Sequence, residues 1–244
     1  MDIKIFDRIE KKYLIDARQK QEILQAVKHE MKKDSYHKSE VFNVYFDTDN
    51  FDLIIKSIDN PNFKEKLRAR SYGGYDKVFM EIKTKLKAWE PGEEKMRVGY
   101  KRRFLITHED YRRLTAGERT AVELAEQKVE LGTDVQIARE VDYLIRYFGL
   151  RPQIMVYYDR ESYVGDGGLR VTFDENLSFR EKELNFKKKP SDRKYFRDDT
   201  NTIMEVKAHG VIPLWLCQAL GGAGAYPVRF SKIGKVYELI KKGE

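Results

Sequence analysis

This chain has few of the residues from which crosslinks and many catalytic centres are made. It holds one cysteine, Cys217, and four histidines in 244 residues. A single thiol excludes an intrachain disulfide framework and a cysteine metal site, and the scattered histidines give no zinc-binding spacing. No run is apolar enough to span a membrane, and the opening Met1-Asp2-Ile3-Lys4 does not begin as a secretory signal does. The expectation is a soluble, cytoplasmic protein with no membrane segment of its own. A membrane-bound partner stays open, as does the oligomeric state. The glycine cluster Gly221-Gly222-Ala223-Gly224 lacks the spacing and the Lys-Ser/Thr ending of a nucleotide-binding P-loop. No Ser/His/Asp constellation is evident. With no linker and no tandem repeat, residues 1–244 read as a single domain.

Charge is what the chain has in excess. Charged residues make up 36% of it, with 47 Lys and Arg against 40 Asp and Glu, for a net charge of +7. The 15 Tyr and 13 Phe suit a β-rich fold. The charge is patterned. In Phe79-Met80-Glu81-Ile82-Lys83-Thr84-Lys85, the charged residues alternate with mostly apolar ones, so a strand here has one charged face. The same period places Arg8, Glu10 and Lys12 together, then Lys66, Arg68 and Arg70, then Lys101 and Arg103. It also pairs Tyr158 with Arg160, groups Arg170, Thr172 and Asp174, and joins Glu205 to Lys207.

Solvated faces usually mix charges of both signs, and like charges on neighbouring strands repel. Setting aside the twelve bases and three acids (Glu10, Glu81 and Glu205) of these faces leaves 35 bases against 37 acids. The basic excess therefore belongs to the alternating strands, as expected if they close into a barrel filled by a polyanion. The bases carry no exposed basic helix or aromatic platform of the kind that binds nucleic acid, so no nucleic-acid partner is expected.

Between the strands the sequence predicts helices. Asp16 caps a segment with Ile23, Leu24, Val27 and Met31 at helical spacing. Phe51 to Ile58 forms a short helix, Thr107 with Asp110 opens another, and Ala121 to Val129 is helical. Val135 to Phe148 follows, closed by Gly149; Pro213 starts a helix to about Leu220, and Lys232 to Lys242 ends the chain as one. Predicted strands are Ile5–Ile15, Phe42–Asp47, Lys64–Tyr72, Lys77–Lys85, Arg97–Ile106, Ile154–Val164, Leu169–Asp174 and Ile203–Lys207, with Gly73-Gly74 and Gly165–Gly168 as turns. Residues 176–201, with Lys187-Lys188-Lys189, read as a long polar loop or a hairpin, solvated more than phosphate-binding. Trp215 and Cys217 read as core, and Asp174 as a turn cap.

The succession R-x-E-x-K-Y, K-x-R-x-R, E-x-K-x-K, K-R-R-F, Y-x-R, L-R-x-T-F-D, M-E-V-K and R-F-S-K resembles the VTC domain over nearly the whole chain. That domain is the polyphosphate polymerase branch of the triphosphate tunnel metalloenzymes, a superfamily that includes the CYTH proteins. The resemblance implies an α+β fold, an antiparallel eight-stranded β tunnel with flanking helices, that binds triphosphate or polyphosphate together with Mn²⁺ or Mg²⁺. By motif it makes Lys12, Arg68, Arg70, Lys83, Arg160, Arg170 and Lys207 the catalytic cations and Glu205 the metal ligand. It adds Tyr158, Arg229 and Lys232 as substrate contacts, with Lys101 or Arg103 from K-R-R-F; the charged strand faces themselves add Arg8, Glu10, Lys66, Glu81 and Lys85. CYTH hydrolases and class IV cyclases open with E-x-E-x-K; Arg8 in place of the first acid favours holding a long polyanion.

The implied activity is transfer of the γ-phosphate of ATP onto a growing polyphosphate chain. The alternatives are hydrolysis of inorganic triphosphate in the same tunnel, and a non-catalytic polyphosphate or nucleotide sensor. A terminal phosphate is already an ionised nucleophile, so the absence of a general base fits the first. The plainer readings are that Glu10 and Glu81 only neutralise neighbouring cations, and that Tyr158 only packs.

Overall fold

The computed structural model describes residues 8–59, 62–73, 76–88, 96–127, 132–186, 194–196 and 202–243. In chain order the elements are β1 (Arg8–Ile15), α1 (Ala17–Glu30), β2 (Lys32–Asp47), α2 (Asp52–Ile58), β3 (Phe63–Tyr72), β4 (Val78–Ala88) and β5 (Met96–Ile106). Then come α3 (His108–Thr115), α4 (Ala121–Glu126), α5 (Gly132–Phe148), β6 (Arg151–Val164), a 3-10 turn (Asp166–Gly168), β7 (Arg170–Arg180) and β8 (Lys194–Tyr195). The chain finishes with β9 (Thr202–His209), α6 (Leu214–Gly222), β10 (Pro227–Val228) and α7 (Lys232–Lys241). Two of the ten strands, β8 and β10, are only two residues long, which leaves the eight long strands expected of the fold.

The chain divides into two compact units. The first is Met1–Glu40, Tyr157–Ser178 and Tyr195–Ser231. Its strands run in the order β10-β1-β9-β7-β6. β1 and β7 both pair antiparallel with β9, so Lys12 and Thr172 lie opposite Glu205, and Glu10 and Arg170 opposite Lys207. The intervening residues, Tyr13, Ile15, Val171, Phe173, Met204 and Val206, turn to the other face and are buried. There they pack with Ile23 and Val27 of α1 and Leu216 and Leu220 of α6. Each such i, i+4 pair presents one helix face to the sheet, and each fully buried Ile or Val contributes about 1.5–3 kcal/mol. α1 begins where the sequence predicts: Asp16 Oδ1 accepts from Gln19 N at 2.8 Å and Gln19 Oε1 from Asp16 N at 3.0 Å, a capping box.

The second unit is Val41–Val156, Phe179–Lys194 and Lys232–Glu244, with strand order β6-β2-β3-β4-β5. β4 pairs antiparallel with both β3 and β5, which puts Arg68 and Arg103 on either side of Glu81. Leu67, Ala69, Met80, Ile82, Phe104 and Ile106 fill the opposite face and are buried. α2 packs on β3, and α4 and α5 on β5. The predicted Thr107–Asp110 capping box opens α3, and Gly149, at φ 64°, ends α5 in a conformation that costs glycine little.

Several expectations need correction. β2 starts ten residues before Phe42, and β7 continues past Asp174 to Arg180, passing Asn176 in the left-handed region at φ 53°. The segment after Asp174 is therefore strand first, with β8 pairing against β7 as in the hairpin alternative. The Lys187–Lys189 run and the turn at Trp89–Gly92 lie outside the described residues. α6 extends through Gly221 and Gly222. Cys217 is exposed, since Leu216 and Leu220 take the inward face of α6 and the neighbouring position turns outward; Trp215 is only partly buried.

Candidate functional site

In the second unit the charged face is built around one carboxylate. Glu81, 1% exposed, lies 2.6 Å from Arg68 Nη2, 3.7 Å from Lys101 Nζ and 3.9 Å from Arg70 Nε. Arg68 Nε also donates to it at 2.7 Å. Burial alone would push the Glu81 carboxyl up, but Arg68, Arg70 and Lys101 hold it down at about 2. Arg70 is fixed from the other side, donating to Asn43 Oδ1 at 2.7 Å. Arg103 lies over the Phe79 ring, 4.5 Å from its centroid.

The next row on this face is made of lysines. Lys66, Lys83 and Lys101 stand opposite one another across β3, β4 and β5. The Lys101 side chain is 48% exposed, and partial desolvation with the cations Arg103, Arg68 and Arg70 lowers its ammonium to about 8, against the opposing pull of Glu81. Lys85, one step further, is exposed and faces Lys64.

The first unit carries the second charged face. Lys207 Nζ is 3.0 Å from Glu205 Oε1, and Lys12 Nζ is 3.8 Å from Glu10 Oε1 and donates to Phe230 O at 3.0 Å. Arg160 donates to both oxygens of Asp174, from Nε at 2.6 Å and from Nη2 at 2.8 Å. Although burial alone would lower it, the Arg160 pKa is raised by Tyr158, Asp174 and Glu205. Arg160 Nη2 also approaches the Tyr158 hydroxyl at 3.5 Å. Arg170 is held by Asp34 at 2.8 Å and by Ser162 Oγ at 3.1 Å, and Ser162 itself donates to Asp34 at 2.9 Å. Asp34 is lowered overall: burial raises it, but Ser162 and Arg170 outweigh that effect. Both arginines are thus oriented by acids before any ligand arrives.

The alternation thus gathers the predicted residues as two groups. Arg68, Arg70, Glu81, Lys66, Lys83, Lys85, Lys101 and Arg103 share one face; Glu10, Lys12, Tyr158, Arg160, Arg170, Glu205 and Lys207 share the other. Lys101 and Arg103 are both on the charged face, one facing Lys83 and the other Glu81. Arg8 stands opposite His209, but its side chain lies outside the described residues. Arg229 is exposed just past β10, and Lys232 begins α7.

Asp174 anchors Arg160 and is not a turn cap. Sequence reasoning assigned no role to Asn43, Asp34, Ser162 or Thr172. Asn43 and Thr172 carried a signal, since each alternates with the charged set, whereas nothing local marks Asp34 or Ser162. A groove of about 640 Å³ elsewhere in the second unit, lined by Arg139, Tyr143, Arg146 and Tyr147, holds Asp142 as well. That carboxylate is already occupied, accepting from Ala121 N and Val122 N at the start of α4.

Among the described residues, no group of three or more His, Cys, Asp or Glu side chains is placed to hold a metal ion. Glu205 is a single buried carboxylate beside a hydroxyl and a lysine. That donor set suits a Mg²⁺- or Mn²⁺-type ion, which takes one or two protein carboxylates and completes its shell with phosphate oxygens and water. It does not suit a metal that needs an all-protein cage.

Comparison with known proteins places this arrangement. A putative adenylyl cyclase from Hippeastrum, described as having a dominant triphosphatase activity, superposes with a TM-score of 0.53 at 16% identity, covering 97% of this chain and 96% of its own. A protein from Pyrococcus horikoshii aligns over 95% of this chain and 98% of its own, with a TM-score of 0.45 and 15% identity. At such identities likeness speaks to the fold alone, and the Hippeastrum protein supports the α+β class. Subunit 4 of the vacuolar transporter chaperone complex of Schizosaccharomyces pombe is 28% identical over 151 residues, which is 57% of this chain and 20% of that protein. The VTC domain model matches residues 7–240. A match that runs through every strand carrying the two charged faces makes this chain a member of the VTC-domain family.

Proposed function

We propose that the chain is a polyphosphate polymerase domain that moves the γ-phosphate of ATP onto the end of an inorganic polyphosphate chain. The observation that carries the proposal is the alignment of Lys66, Lys83 and Lys101 opposite one another on three adjacent strands, on the same face as Arg68, Arg70 and Arg103. Like charges across strands destabilise a sheet, so such a row is best explained by an anion that offsets it. Membership of the VTC-domain family supports the same reading.

The roles follow from the chemistry of each group. Arg68, Arg70, Arg160 and Arg170 are held by Glu81, Asn43, Asp174 and Asp34, so their guanidinium planes are fixed in advance and can meet phosphate oxygens at little ordering cost. Lys12, Lys66, Lys83, Lys101 and Lys207 act as point charges. The terminal phosphate of the chain attacks the γ-phosphorus through an oxygen that is already ionised. The new P–O bond forms as the bond to the β-phosphate oxygen breaks, and ADP leaves with that electron pair. No proton needs to be removed, so no general base is required. The side chains raise the rate by stabilising charge on the transferring group. Glu205 would hold Mn²⁺ or Mg²⁺, which would neutralise charge on phosphate oxygens.

No helix among the described residues is long and apolar enough to cross a membrane. The fission-yeast relative belongs by name to a vacuolar transporter chaperone complex. On the same reading, this chain works beside a membrane-bound partner, with its site on the cytoplasmic side. The test is incubation with ATP and Mn²⁺ or Mg²⁺, followed by a gel that resolves phosphate chains. Lengthening chains are expected. ADP and free phosphate without longer chains would make the domain a triphosphatase, and no turnover would make it a binding module.

A further inference from the structure

We propose that Thr172 is a substrate-binding residue, whose Oγ1 donates a hydrogen bond to a non-bridging oxygen of the bound phosphate chain. The inference rests on the phosphate-chain reading above and adds a contact that is neither a cation nor a metal ligand. Thr172 lies on β7 between Arg170 and Asp174, on the same face, and directly opposite Glu205 on β9. It is only 3% exposed, and among the described residues its Oγ1 has no hydrogen-bond partner.

Its neighbours are already engaged. Both oxygens of Asp174 accept from Arg160, Arg170 is held by Asp34 and Ser162, and Glu205 lies 3.0 Å from Lys207. A buried hydroxyl without a partner is disfavoured, and valine would fill the same volume without that disadvantage. The hydroxyl therefore fits a partner that arrives with the ligand. It sits among Arg160, Arg170 and Lys207, where an anion is drawn, and it is a donor, which is what a phosphate oxygen requires.

The test uses the whole chain and inorganic triphosphate without metal. Thr172→Val should leave the melting temperature of the free protein unchanged or raised, because it removes a buried hydroxyl that has no partner. Triphosphate affinity, measured by calorimetry, should fall about tenfold or more, the scale of one hydrogen bond to a charged group. Thr172→Ser, which keeps the hydroxyl, should bind within about threefold of the parent. If Thr172→Val is destabilised or fails to fold, or if it binds triphosphate like the parent, the hydroxyl serves the fold and the proposal is wrong. If the parent itself does not bind triphosphate, the phosphate-chain reading fails and takes this proposal with it. That outcome is visible before any variant is made.

Discussion

Arg160 and Asp174 meet fork to fork, with Nε on Oδ1 at 2.6 Å and Nη2 on Oδ2 at 2.8 Å, and both side chains are shielded from water. The acid takes two of the guanidinium's five donors and fixes the plane of the rest. Asp174→Ala leaves a buried cation without its partner and should cost about 3–5 kcal/mol of stability. Arg160→Lys keeps a charge but loses the fork, so triphosphate affinity should fall more than stability does. Denaturant melts and metal-free calorimetry on the two variants separate the effects; equal losses of both kinds in both variants would remove the positioning role of Asp174.

Glu81 gives the domain a specific acid sensitivity. Its carboxyl is held at about 2, below the ordinary 4.5, so the folded state binds its proton less readily than the unfolded state does. Its contribution is complete above pH 4.5 and is lost as the pH falls from there to about 2. A shift of that size corresponds to roughly 3 kcal/mol. Stability profiles of the parent and of Glu81→Gln should differ most at neutral pH and converge in this acid window. Parallel profiles would show that the three cations do not depend on Glu81.

Lys101 predicts a trend of the same sign at the alkaline end. Held at about 8 instead of the ordinary 10.5, it loses its proton in the folded state first. Between those two values the unfolded state binds more protons, so this residue's contribution to stability rises with pH. Phosphate binding should weaken as the pH rises through 8, because the row of lysines loses one charge. Near pH 8, triphosphate binding should also take up protons, seen as a binding heat that depends on the ionisation heat of the buffer. Lys101→Met should remove both the pH dependence and the proton uptake.

Glu205 separates binding from turnover. Glu205→Gln keeps size and hydrogen bonding while removing the charge beside Lys207. Metal-dependent turnover of ATP should be abolished, with metal-free triphosphate binding intact or tighter. Arg68→Ala should weaken both, since it removes a proposed phosphate contact and the closest partner of Glu81. If Glu205→Gln turns over like the parent, the metal is held elsewhere.

The charged faces were legible because strand geometry is local. Period two in Lys66–Arg70 and Glu81–Lys85 is enough to put the right residues on one side. What holds those residues was not legible, because it depends on register between distant strands. Asp34 reaches Arg170 across 136 positions of sequence, with nothing near Asp34 to mark it. The early part of β2 was missed because Lys32-Lys33-Asp34-Ser35 has no apolar alternation. The later part of β7 was missed because Asn176, in its left-handed conformation, interrupts the period. Cys217 went astray because an apolar helical run does not say which of its residues faces in.

The pairing of β1 with β9 has a further consequence for how the chain finds its own alignment. Glu10 faces Lys207, and Lys12 faces Glu205. A slip of two residues keeps every side chain on its proper face, so the hydrophobic core alone does not oppose it. In one direction the slip sets Lys12 against Lys207; in the other it sets Glu10 against Glu205 and Arg8 against Lys207. Either misalignment sets like charges opposite one another, so the alternating signs along the two strands act as a proofreading code that favours a single registration of the first strand against the last long one.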